Sequence, residues 1–133
     1  MIENKIKHLE FIQGVVNRLS TNSFLLKGWS VVLVSALFAL SASQNNHKFI
    51  ALSFFPAIVF WGLDGYFLWQ ERLFRALYDH VRALPDDQID FSMNISTVRK
   101  SVAIWIVVVF SKTLFVFHGV LLAAIVLVAF FSF

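Results

Sequence analysis

Asp64 stands inside a run that is otherwise apolar, Phe49 to Trp69, and that run is long enough to cross a bilayer. A carboxylate at that depth costs on the order of a few kcal/mol unless it meets a partner or water. The chain offers a counter-charge. Lys27 interrupts the preceding apolar stretch, Phe24 to Ala42, and the polar link Ser43 to Lys48 joins the two. Lys27 and Asp64 are equally far in sequence from the middle of that link. An antiparallel helical hairpin therefore sets them level. The expected fold is an all-α membrane protein whose first hairpin is held in register by this pair.

Composition supports lipid as part of the solvent. Of 133 residues, 59% are apolar and 14% charged, whereas ordinary soluble domains carry roughly 25% charged residues. A chain this short buries only about two thirds of its surface as a globule, which is too little to hide so much apolar side chain. The absence of cysteine excludes a disulfide framework, a thiolate nucleophile and a cysteine metal site. A net charge of +3 is too small to imply nucleic acid. No cleavable leader is expected, because a helical segment precedes the first apolar run. There is no internal repeat.

Residues 1–19 form an expected amphipathic helix. Ile2, Ile6, Leu9, Ile12, Val16 and Leu19 recur at helical spacing. It either lies on the membrane surface or serves self-association. Ser20-Thr21-Asn22-Ser23 offers capping chemistry ahead of span 1, residues 24–42. Gly28, Ser35, Ala39 and Ala42 share a face of that span, which is expected to pack closely on another helix. Span 2 covers residues 49–69, with Pro56 as an interior kink. Gly62 and Gly65 flank Asp64 and clear space around it. Trp61 and Trp69 suit the approach to an interface.

Span 2 is expected to continue into water as a cytoplasmic helix over 70–84, with Phe74, Leu77, Tyr78, Val81 and Leu84 on one side. Glu71 and Arg75 make a favourable i,i+4 pair on it. Pro85 ends the helix. The polar loop 85–100 holds Asp86, Asp87, Asp90, Ser92 and Asn94. It reads as a solvated connector, since an EF-hand's glycine and terminal glutamate are missing. From 101 to 133 the chain is apolar again. That is about 50 Å as one helix, too long for one upright span and too short for two. A bent or tilted span 3 resolves this, with Val102 to Phe110 near the inner headgroups and Thr113 to Phe131 spanning. Basic residues cluster before span 1 and over 70–100, while the link carries only Lys48. The positive-inside rule then puts the N-terminus in the cytoplasm and the C-terminus outside a bacterial inner membrane.

Two polar patterns are candidates for function. The Lys27–Asp64 pair is either a structural lock or part of an ion or proton path. On a single helix, Lys100, Ser101, Ser111, Lys112, His118 and Gly119 fall on one side. That stripe either lines a pore in a symmetric oligomer or makes local inter-helix hydrogen bonds. His8, His47, His80 and His118 have no metal-ligand spacing. No nucleophile elbow, phosphate loop or paired catalytic carboxylates are present. Neither an enzyme nor a cofactor is expected.

The segments Asn22-Ser-Phe-Leu-Leu-Lys-Gly-Trp29 and Phe60-Trp-Gly-Leu-Asp-Gly-Tyr-Phe-Leu-Trp-Gln-Glu-Arg-Leu-Phe-Arg75, with Leu77-Tyr-Asp79 and Phe110-Ser-Lys-Thr-Leu114, resemble small bacterial multi-span membrane proteins that carry no established activity. Small proteins of this kind are similar to membrane effectors of anti-phage systems, in which a sensor triggers membrane damage. The small-residue face, the intramembrane pair and the polar stripe point to a self-associating inner-membrane protein that forms or gates a pore, and the likeness to those effectors adds a bacterial defence role. The alternative is a non-conducting anchor or accessory subunit, whose N-terminal and 70–84 helices dock a soluble cytoplasmic partner.

Overall fold

The computed structural model describes residues 2–132. Every regular element among them is helical. Helix α1 runs from Ile2 to Gln44, α2 from Lys48 to Leu52, α3 from Phe54 to Arg82, α4 from Trp105 to Val109 and α5 from Lys112 to Ser132. Short 3-10 turns occupy Asp86–Gln88 and Arg99–Ser101. Three units are long and apolar enough to cross a membrane: α1, the α2–α3 unit from Lys48 to Arg82, and α5.

α1 and α3 form one long antiparallel hairpin. Its turn is built by Asn45, whose φ of 49° is left-handed, a conformation asparagine tolerates better than most residues. The Asn46 N–H then returns to the Ser41 carbonyl at 3.1 Å and closes the helix end. Contacts on the two helices step away from this turn in equal strides. Val34 packs with Ala57, Lys27 meets Asp64, and Ile12 and Val16 pack with Leu77 and Val81. Ile125 of α5 closes the Val34–Ala57 cluster, with Leu121 and Leu122 beside it. α5 thus runs antiparallel to α3, and Ile2 and Ser132 lie at opposite ends of the described residues.

The far half of the hairpin is a two-helix stalk capped by the segment after α3. Ile12, Val16, Leu77, Val81 and Val98 are buried together, with Ile89, Met93 and Ile95 packed against them. Lys5 Nζ donates to the Leu84 carbonyl at 2.9 Å. The buried His8 ring meets the Ser92 carbonyl at 2.8 Å through Nε2. The segment expected to be a solvated connector is therefore docked through its apolar residues, while Asp86, Asp87 and Asp90 stay exposed.

Three expectations about element boundaries change. α1 is one helix across Ser20–Ser23, with no break between an amphipathic segment and a span. The hydroxyls there do not cap: Thr21 Oγ1 donates back to the Asn17 carbonyl at 2.9 Å, and Ser23 turns to Asp64. The kink expected at Pro56 falls just before it, at Ser53, which separates α2 from α3. Proline has no N–H for the Leu52 carbonyl and its ring crowds that turn. Ser53 stabilises the irregular turn by donating its hydroxyl to the Ile50 carbonyl at 2.5 Å. Finally, residues 101–133 are not one bent helix. Val102 and Ile104 are extended, α4 follows, and the backbone breaks again at Phe110 before α5.

Candidate functional site

All three candidate spans meet at Asp64, which is fully buried on α3. Lys27 of α1 places its Nζ 2.6 Å from Asp64 Oδ2. One helical turn earlier, Ser23 donates its hydroxyl to Asp64 Oδ1 and accepts from Lys27 Nζ at 2.9 Å. From α5, His118 Nε2 donates to Asp64 Oδ2 at 2.8 Å. The carboxylate therefore accepts from three side chains on two other helices. That is the condition for burying a charge without a prohibitive desolvation cost.

Aromatic rings seal the cluster. Trp61, one turn before Asp64, stacks on His118 at 5.7 Å between centroids and 8° between planes. Phe117 meets His118 edge-on at 5.0 Å, and Lys27 Nζ lies 5.9 Å from the Phe117 centroid, within the range of a cation–π contact. A carboxylate with a bonded ammonium and imidazole can share or pass a proton. Asp64 and His118 are both buried in this arrangement. Among the described residues, no group of three His, Cys, Asp or Glu side chains is placed to hold a metal ion.

α4 is held against α3 beside this cluster. A Cβ on Gly65 would sit 3.2 Å from Val109 Cα and 3.3 Å from its Cβ, closer than side chains ordinarily approach. Glycine lets the backbones meet. Trp61 Nε1 donates to the Val109 carbonyl at 2.8 Å, and Trp105 Nε1 donates to the Gly62 carbonyl at 3.1 Å. The irregular backbone around α4 leaves carbonyls without helical partners. A buried carbonyl needs a donor, and the Trp61 indole supplies one for Val109.

Lys27 and Asp64 sit as their symmetry about the link requires. Gly62 and Gly65 flank Asp64 as packing positions, and the neighbour they admit is α4. The face of α1 that packs inside the molecule carries Ser23, Lys27, Ser30, Val34 and Ser41. Gly28, Ser35, Ala39 and Ala42 lie beside it and stay exposed. The expected stripe is divided: α4 and two breaks in the backbone separate Lys100 and Ser101 from Ser111, Lys112, His118 and Gly119. Ser101 donates to the Val98 carbonyl at 2.7 Å. Ser111 precedes α5 with its Oγ buried and unbonded. Lys112 is exposed and Gly119 is half-buried, while His118 turns into the molecule.

Sequence reasoning gives neither Ser23 as a partner of Asp64 nor Trp61 as the ring stacked on His118. Both carried a signal: Ser23 lies four residues before Lys27 and Trp61 three before Asp64, spacings that share a helix face. No protein-family model, no curated protein and no solved structure matches the chain.

Proposed function

We propose that this chain is a self-associating membrane protein that forms or gates a pore, with the Ser23–Lys27–Asp64–His118 cluster as the lock that holds its spans together. One observation carries the reading. Asp64 is the only acid between Glu10 and Glu71, and every candidate span contributes a group bonded to it or is its own backbone. A rearrangement of the spans has to pass through this cluster. Because the ionisable groups are consumed internally, a single closed protomer presents no polar path. Conduction then requires assembly, rearrangement or both. The exposed row of Gly28, Ser35, Ala39 and Ala42 on α1 suits close approach of a second helix. The likeness to anti-phage effectors makes membrane damage in a bacterial defence response the corresponding output.

Basic residues support an orientation. Lys5, Lys7, Arg72, Arg75, Arg82, Arg99 and Lys100 gather at the stalk end, and the link offers only Lys48. By the positive-inside rule the stalk is cytoplasmic and α5 ends outside.

The test is ion flux from liposomes carrying the purified protein, compared with His118→Leu. We expect flux, raised by at least severalfold when the lock loses its α5 arm. Liposomes that stay tight with both proteins, at all protein densities, would reject the pore.

A second reading, a non-conducting anchor, is favoured by the stalk. An open groove there is lined by Phe11, Val15, Phe74 and Met93 between Glu10 and Arg18, and Ile2 and Ile6 are exposed nearby. Recovery of one soluble protein in fixed stoichiometry, lost on Phe11→Asp, would favour this reading.

A further inference from the structure

A groove of about 350 Å³ lies between α3, α4 and α5, and Trp61, which stacks on His118, stands in its wall. Its walls are Ile58, Trp61, Gly62, Trp105, Val109 and Leu122, completed by Ile106 and Phe110. No polar surface lines it. The two indole N–H groups in the walls point elsewhere, into the Val109 and Gly62 carbonyls. Only ring faces and alkyl groups are left to receive an occupant. A concavity of this size is in the range that holds a bound ligand.

From this we infer that the groove retains one acyl chain of an anionic phospholipid. The inference rests on the membrane reading of the three candidate spans but not on conduction. The groove runs beside Ile58 and Gly62 of one candidate span and Leu122 of another. In a bilayer that level is surrounded by lipid tails. An occupant needing a hydrogen bond would find none. A second copy's helix is less suited, because the groove is closed along one side by the five-residue α4 and is too short for a helical face.

Charge selects the headgroup. Lys112 is exposed and follows the groove wall by two residues at Phe110. No acid lies between Asp90 and the C-terminal residue. A phosphate held near Lys112 with its tail between the two tryptophans satisfies both chemistries. Trp61 then joins groove and cluster, since the indole that lines the groove also stacks on His118.

Native mass spectrometry of the full chain tests this, after extraction from vesicles of equal phosphatidylglycerol and phosphatidylcholine. We expect one phosphatidylglycerol to survive activation that strips the other lipids. Ile106→Trp, which fills the groove from an exposed wall position, should remove it. Lys112→Gln should leave a lipid bound but reduce the preference for phosphatidylglycerol about fivefold, the worth of one basic residue near an anionic surface. A folded Ile106→Trp is verified by its helical circular dichroism. Should it not fold, a Trp29→Phe, Trp69→Phe protein reports directly: its two groove tryptophans should be quenched by brominated phosphatidylglycerol and not by free brominated lipid at matched depth on the opposite face of α1. A wild-type protein that strips bare, or that holds both lipids equally, would overturn the site. Failure to enter vesicles at all would reject the membrane reading; tight vesicles with the lipid retained would reject only the pore.

Discussion

Asp64 is the residue on which most of the packing converges, and its removal has consequences for its neighbours. Asp64→Ala leaves a buried ammonium and a buried imidazole without their acceptor. Losing one partner of such a pair costs about 3–5 kcal/mol, which should appear as a large drop in unfolding temperature in mild detergent. Lys27→Ala in the same chain removes the stranded charge and should recover part of that loss. His118→Leu should cost less than Asp64→Ala, because Asp64 keeps Lys27 and Ser23. Equal damage in the single and double variants would remove the coupling. The two glycines beside Asp64 should behave oppositely. A Cβ at Gly65 runs into Val109 backbone, and Gly65→Ala should destabilise by about 1–3 kcal/mol. At Gly62 the nearest atom would be 3.7 Å away on Trp105, an ordinary contact. Gly62→Ala should be neutral or gain up to about 1 kcal/mol of helix propensity, measured in the same melts.

At the level of helices, some features could be read from the chain and others could not, for physical reasons. The Lys27–Asp64 level was legible because a hairpin with a short link has only one register. The third span was legible as irregular, because its length suits neither one crossing nor two. Where it breaks was not legible. Two tryptophan side chains and a glycine from α3 stabilise the breaks, and no local pattern in 101–111 announces them. The partner of His118 was hidden for a related reason. The connection from Leu84 to Ser111 is long, and nothing within it sets the height of α5. The continuity of α1 was missed because serine, threonine and asparagine serve equally as caps and as side chains that bond the preceding turn. The packed face of α1 is not legible from small residues alone, because Ser23, Ser30 and Ser41 lie on it while Gly28, Ser35, Ala39 and Ala42 lie beside it, and the Lys27–Asp64 pair selects between the two. Cutting α1 with Thr21→Pro should separate the two behaviours: stalk and spans would lose their common melting transition, seen as two steps in thermal denaturation.

The whole molecule is a long hairpin with a third helix laid against its upper half, and this can be tested without any assumption about activity. The chain has no cysteine, so an introduced pair reports cleanly. Cysteines at Val34 and Ala57 should crosslink on mild oxidation, as should a pair at Ile12 and Val81, because both pairs sit in the buried seams of the hairpin. A pair shifted by one turn on one helix should not. Crosslinking of the shifted pair in preference to the aligned one would remove the register on which the Asp64 site depends. Single cysteines at Lys5 and Phe130 should label from opposite sides of sealed vesicles, since Ile2 and Ser132 lie at opposite ends of the described residues.

α1 is an unbroken rod of 43 residues, about 65 Å from end to end. It contains no hinge at which a sideways force on its tip can be absorbed. Lys27 sits about 38 Å from the tip and about 26 Å from the turn, at 1.5 Å per residue. The rod is fastened on both sides of it, through Lys5, His8, Ile12 and Val16 toward the tip and through Val34 toward the turn. A partner that displaces the tip therefore strains the stalk seam before any load reaches the charged cluster.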